Sequence, residues 1–142
     1  MSIIYIKRRG GFKSIIPLII TIILSLTLVF MPFTKLFLLY DYNTQKNRRT
    51  QVIELIKTGG ISYENGELVL LPTEYRSTSG GGGKIYISKN ENSLEVFFYT
   101  FVGVLDNYSG YLYLENNNDR NISVNYKEIR QVESNWYLLT SY

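Results

Sequence analysis

From Ser14 to Thr34 the chain runs for 21 residues without a charge, and the apolar stretch continues to Tyr40 with Lys35 as its one full charge. As a helix, 21 residues span about 31 Å, close to the ~30 Å hydrocarbon core of a bilayer. A small soluble domain has no use for so long an unbroken apolar helix. The expected plan is therefore a basic cytoplasmic flank over residues 1–13, a transmembrane helix over residues 14–40 with the lipid bilayer as its partner, and a small extracytoplasmic domain over residues 41–142. The orientation follows from Lys7, Arg8, Arg9 and Lys13, since basic residues beside a span favour the cytoplasmic side. Tyr40 and Tyr42 suit the outer interface. A cleaved signal peptide is the competing reading, but the apolar run is longer than a usual signal core and no A-x-A-like site follows it.

The net charge of +3 belongs to this leader. Five basic residues precede residue 41, while all twelve acids lie within residues 41–142, which therefore carry a net charge of −2. No basic footprint for nucleic acid is present. The chain has neither Cys nor His. That removes thiol nucleophiles, histidine bases, Ser-His-Asp triads, and thiolate or imidazole zinc sites. No cofactor is expected.

Thr44–Lys57 reads as a stalk helix with Val52, Ile53, Leu55 and Ile56 as its apolar stripe and Gly59-Gly60 as its stop. The pattern then changes to strands. Asn65-Gly66 signals a hairpin with a type I′ turn between Ile61–Glu64 and Leu68–Leu71, and Pro72 ends the second strand. Thr73–Gly83 reads as a flexible loop, and Lys84–Ser88 as a strand with Ile85 and Ile87 on one face. After the turn Lys89–Asn92, Leu94–Val104 is the longest strand. It is apolar on both faces, as a central strand or one with a covered second face would be. Further strands are expected at Tyr111–Glu115 and Ile122–Tyr126, and a hairpin pairs Lys127–Glu133 with Trp136–Ser141. The fold class is α+β: an N-terminal transmembrane helix, then a short amphipathic helix packed on an antiparallel β-meander of six to seven strands. No second helix separates the strands, so parallel crossovers are not expected.

Little of the chain offers chemistry. Gly80-Gly81-Gly82-Gly83-Lys84 superficially suggests a phosphate loop, but the motif would need Gly at position 78 and Ser or Thr at position 85, where Thr78 and Ile85 stand. Asp119 lacks the spacing of a calcium loop. The other carboxylates are scattered over turns and polar strand positions. Tyrosine is abundant, with thirteen residues, and aromatic side chains on a sheet face can grip sugars or peptides at low entropy cost. If Asp106-Asn107 makes a two-residue turn, Phe101 opposes Leu112 and Tyr99 opposes Leu114. Phe97, Tyr99, Phe101, Leu112 and Leu114 then form the core face. Phe98, Tyr111 and Tyr113 lie on the wetter face, which is the candidate ligand surface for a protein or polysaccharide.

The basic leader ending Arg8-Arg9-Gly10-Gly11-Phe12, followed by a long apolar helix, a polar helical stalk and an antiparallel sheet, resembles bacterial type IV pilin-like subunits. The resemblance covers residues 8–58 and implies processing between Gly11 and Phe12. The fifth mature position, Glu in such subunits, is Ile16, and Pro17 falls where their helix runs smoothly. Function is thus expected to be that of a single-pass membrane-anchored protein whose small domain binds or scaffolds and does not catalyse. A pilin-like or secretion-system structural subunit is the second reading, and an enzyme acting on envelope polymers a remote third.

Overall fold

The computed structural model describes residues 15–30, 33–90, 93–103, 107–116 and 122–141. The basic flank, the Gly11-Phe12 site, Pro32, the turn residues Glu91, Asn92 and Asp106, and Asn117 to Asn121 with Asp119 lie outside them. The chain divides into two compact units, Met1–Phe37 and Leu38–Tyr142.

The apolar run is shared between two helices, α1 (Ile15–Phe30) and α2 (Phe33–Lys57). The single span expected over residues 14–40 and the separate stalk at Thr44–Lys57 are therefore redrawn. Proline 32, which cannot donate a backbone hydrogen bond, stands between the two helices in the sequence. The stalk and the end of the apolar run belong to one helix of 25 residues. Among the described residues no helix is long and apolar enough to cross a membrane.

Unit Leu38–Tyr142 is α+β. Six strands follow α2: β1 (Glu67–Leu70), β2 (Lys84–Asn90), β3 (Ser93–Val102), β4 (Tyr108–Leu114), β5 (Glu128–Glu133) and β6 (Trp136–Thr140). They form one antiparallel sheet in the order β1-β2-β3-β4-β6-β5. The meander holds through β4 and then fails. β6 takes the place beside β4, and β5 lies outside it. Strands β4 and β5 therefore point the same way, and the segment between them crosses over a sheet face; its described residues form no helix. The strand expected at Ile122–Tyr126 is instead part of this crossing.

Each sheet face has its own cover. On one, Val52, Ile53 and Ile56 of α2 pack with Ile85, Ile87, Leu94, Val96, Phe98, Tyr111 and Trp136. These α2 residues continue a stripe of helical period that begins at Tyr42. Burying three aliphatic side chains contributes on the order of 5 kcal/mol before entropy is counted. The helix closes as its glycines foretell: the Gly60 N–H donates to the Leu55 carbonyl at 2.8 Å and Gly59 N–H to that of Ile56 at 3.2 Å. On the other face, Phe97, Leu112, Leu114 and Leu139 form a second cluster, on which Ile122 and Val124 of the crossing segment pack. Both faces of β3 are covered, which accounts for apolar residues on both of its sides.

The β3–β4 register departs from the expected one. Phe97 pairs with Leu112 and Phe98 with Tyr111, four residues away from the Asp106-Asn107 scheme. A shift of four preserves faces, so Phe97, Tyr99, Leu112 and Leu114 do share a side. A bulge between Tyr99 and Phe101 then adds one residue. Adding one exchanges faces, and Phe101 leaves the core for solvent at 53% exposure. Within this ladder position 110 must lack a side chain: a Cβ there would meet the Phe98 carbonyl oxygen at 2.1 Å.

Two local expectations also change. Gly66 has φ +81° while Asn65 is not among the positive-φ residues, so the Asn65-Gly66 turn has positive φ at its second central residue only, as in type II. Ile61–Glu64 makes no strand, and β1 pairs with β2. The segment Thr73–Gly83 is a 3-10 helix, η1 (Thr73–Thr78), followed by a packed turn with Thr78 and Ser79 buried. It is not a loose tip.

The register has a direct stability test. In denaturant unfolding, Phe98→Ala should cost about 3–5 kcal/mol, as core aromatic truncations do. Phe101→Ala should cost well under 1 kcal/mol, as exposed substitutions do. The reverse order would show that the bulge is absent.

Candidate functional site

Position 49 lies on the buried stripe of α2 between Tyr42 and Val52, where an apolar residue would be usual. Its arginine is 1% exposed. A guanidinium is a permanent cation, so the fold must supply compensation for burying it. Asp41, two turns earlier on α2, accepts from Nη2 at 2.7 Å. The Thr78 carbonyl at the end of η1 accepts from Nε at 2.9 Å. The Tyr111 and Phe98 rings lie 5.1 and 5.8 Å from the guanidinium carbon, within range of cation–π attraction. The Nη1 nitrogen and the Gln45 Oε1 oxygen, one turn apart on α2, are buried without hydrogen-bond partners. Each such atom costs desolvation free energy.

The surrounding groups tie α2 to the sheet. The Tyr42 hydroxyl donates to Glu133 of β5 at 2.7 Å, and Lys46 forms an ion pair with the same carboxylate. The Tyr42 ring packs 5.0 Å from that of Tyr111 and edge-on to Trp136. The Tyr111 hydroxyl donates to the Leu38 carbonyl at 2.7 Å. Burial pushes the Tyr111 hydroxyl up to about 12, and burial with the Glu133 contact raises that of Tyr42 further. Both remain protonated at neutral pH. Next to Arg49, Arg48 donates to Ser77 Oγ at 2.9 Å and to the Glu74 carbonyl. The two adjacent arginines thus grip η1 from one turn of helix.

The three residues of the expected ligand face belong to this region, but not as a wet surface. Phe98 is fully buried, and Tyr111 is 2% exposed. Both lie beneath α2, because this is the face on which the helix docks. A ligand could reach them only by displacing α2. Tyr113 is half-buried at the rim. Its ring stands edge-on to Trp136, and its hydroxyl accepts from Lys57 Nζ at 3.3 Å. Lys57 also pairs with Glu115 at 2.9 Å, and that contact leads the rise in the Lys57 pKa.

Sequence reasoning missed Asp41, Arg49 and Thr78, and it placed Tyr42 at an outer interface, whereas Tyr42 is 5% exposed in the core against the sheet. The available signal was the period: Tyr42, Gln45, Arg49, Val52, Ile53 and Ile56 share one helical face. Chemically the arrangement is a brace. It fixes the rotation and height of α2 through a buried charge.

Glu95 is the buried carboxylate on the opposite face, 3% exposed. Its two oxygens accept the Ser123 N–H at 3.1 and 3.0 Å, holding the crossing segment. Among the described residues no three His, Cys, Asp or Glu side chains gather to hold a metal ion. In comparisons with known proteins the chain matches no family model, no curated protein and no solved structure.

Two tests follow from these charges. Arg49→Ala should cost about 3–5 kcal/mol, since it strands Asp41 and opens a void. A loss below about 1 kcal/mol in denaturant unfolding would deny the brace its role. The carboxylates should act in opposite pH windows. Glu133 is held below its ordinary 4.5 by Lys46 and then by Tyr42, so its contribution is present above pH 4.5 and lost as pH falls through the lowered folded value. Burial raises Glu95 above 4.5, against the pull of the Ser123 and Val124 contacts, so its contribution is largest below pH 4.5 and declines as pH rises through the raised folded value. In Tm measured against pH, Glu133→Gln should flatten the acid limb and Glu95→Gln the limb above it. Unchanged curves would show that neither group is coupled to folding.

Proposed function

We propose that this is a single-pass membrane-anchored protein whose α+β unit serves as an extracytoplasmic binding or scaffolding module. The observation that carries the reading is α1. Every side chain described from Ile15 to Thr27 is exposed, and nine of the thirteen are Ile or Leu. Successive residues on a helix point about 100° apart, so these side chains cover all sides of α1. A helix apolar all round requires an apolar surrounding. The sixteen residues of α1 amount to about 24 Å, and the charge-free run in the sequence extends four residues further, to Thr34. On this reading the basic flank stays in the cytoplasm.

A second reading, a pilin-like or secretion-system subunit, draws support from α2. Leu36, Phe37 and Leu39 in its first half are exposed apolar residues, while its second half packs on an antiparallel sheet. One helix that is apolar at its start and docked at its end agrees with the resemblance noted in the leader.

Membrane fractionation tests the first reading. The full-length protein should sediment with membranes, resist high-salt extraction and dissolve in detergent. Protease added to intact cells should remove the α+β unit. Recovery of the full-length protein in the soluble fraction would end the anchor reading, and protection from the protease would reverse its orientation. A mature N-terminus at Phe12, read by mass spectrometry, would favour the second reading.

A further inference from the structure

Asn65-Gly66 is the only Asn-Gly pair in the chain. Such a pair is chemically labile. The backbone nitrogen after an asparagine can attack the side-chain amide carbon, and glycine, with no Cβ, hinders that approach least. Both residues are exposed, so water has access to them. The fold, however, engages both reacting groups. The Gly66 N–H donates to the Ile87 carbonyl at 2.9 Å. The Asn65 Oδ1 accepts the Lys89 N–H at 2.6 Å. Nucleophile and amide are thus tied to different residues of β2. The turn itself is closed less firmly, with the Glu67 N–H donating to the Glu64 carbonyl at 3.4 Å. Strand β1 begins only at Glu67, so the pair lies just outside the ladder, where opening is easiest.

We propose that Asn65 is a deamidation site that the fold holds closed, and that local opening of this end of the β1–β2 pair sets its rate. Once the contacts to Ile87 and Lys89 are broken, the Gly66 nitrogen gives up its proton to hydroxide or a buffer base and bonds to Asn65 Cγ. The Cγ–Nδ2 bond breaks, and the departing nitrogen takes up a proton and leaves as ammonia. A cyclic imide remains. Water then adds to either of its carbonyl carbons, and the ring C–N bond at that carbon breaks. Opening at Cγ gives aspartate at position 65. Opening at the main-chain carbonyl gives isoaspartate, whose backbone runs through the former side chain. The two products differ in what they keep. Aspartate still presents an oxygen to the Lys89 N–H. Isoaspartate lengthens the main chain ahead of Gly66 by a methylene, so the contacts to Ile87 and Lys89 can no longer both be met. Either product places a new carboxylate beside Glu64 and Glu67, and like charges so close oppose reclosing. The modification therefore accumulates in chains whose turn has opened. The chemistry does not depend on membrane anchoring.

The test follows the mass gain of amide to acid. Full-length protein in detergent is aged in mildly alkaline buffer, natively and in strong denaturant, and peptides spanning residue 65 are weighed by mass spectrometry. Deamidation at Asn65 should be roughly tenfold or more slower in the native sample, the scale set by two hydrogen bonds that must break first. Lys89→Pro deletes the N–H that Asn65 accepts. It should raise the native rate severalfold and leave the denatured rate unchanged. A native rate equal to the denatured one would overturn the proposal, as would a denatured sample that gains no acid at Asn65. So would a Lys89→Pro chain with a native circular dichroism spectrum and an unchanged or slower rate, since the Lys89 N–H would then be no restraint. Should Lys89→Pro fail to fold, the comparison of native with denatured parent chain decides alone.

Discussion

A charge that cannot be neutralised has been put where water does not reach, and much of the α+β unit is arranged around it. The Arg49 guanidinium draws its compensation from Asp41 on its own helix, from the Thr78 carbonyl at the end of η1, and from the Tyr111 and Phe98 rings on β4 and β3. Desolvating a cation is costly, and the cost is offset only when the geometry is good and the donors are matched. Sliding α2 by one turn would strand the guanidinium. Apolar packing binds the helix to the sheet, and Arg49 selects where.

The other face follows the same logic with the opposite sign. Glu95 lies between Leu94 and Val96 on β3, and its carboxylate has turned away from α2 toward the crossing segment. Ser123 adds a contact with Ser88 Oγ at 3.2 Å. A segment without regular structure has to satisfy its own backbone donors. Here a buried acid does so, and that allows Ile122 and Val124 to cover Phe97 and Leu112. Two buried charges, one on each face of β3, thus hold the two covers of the sheet.

The coarse architecture was legible because it rests on periodicities. The apolar stripe of α2, the Gly59-Gly60 stop, the alternation of Ile85 with Ile87, the two-sided β3 and the Ser134-Asn135 hairpin all came from spacing alone. The strand order was not legible, because nothing local in EIRQVE or WYLLT says which of them meets β4. The register failed for a related reason. Asp106-Asn107 is a good turn pair, but a close contact at Gly110 and a bulge near Thr100 are tertiary facts. The face expected to be wetter is instead covered by α2, while Phe97, Leu112 and Leu114 do form a core on the other. The brace was hidden for a simpler reason: a basic residue in a polar-looking stretch, Gln45-Lys46-Asn47-Arg48-Arg49, reads as solvated until a sheet is laid against it.

The crossing between β4 and β5 also dictates an order of assembly. β5 pairs only with β6, so after synthesis of β5 its native partner is still missing. It has to wait for β6, which comes later in the chain and claims the free edge of β4. The local hairpin closes fastest, since its loop is short. It then docks as a preformed pair, and only afterwards can the intervening segment settle over Phe97 and find Glu95. Until that docking, Tyr111 and Leu112 lie along an open strand edge, the kind of surface that neighbouring chains can capture. The vulnerable interval of this protein's folding is therefore set by connectivity, and strengthening the core would not shorten it.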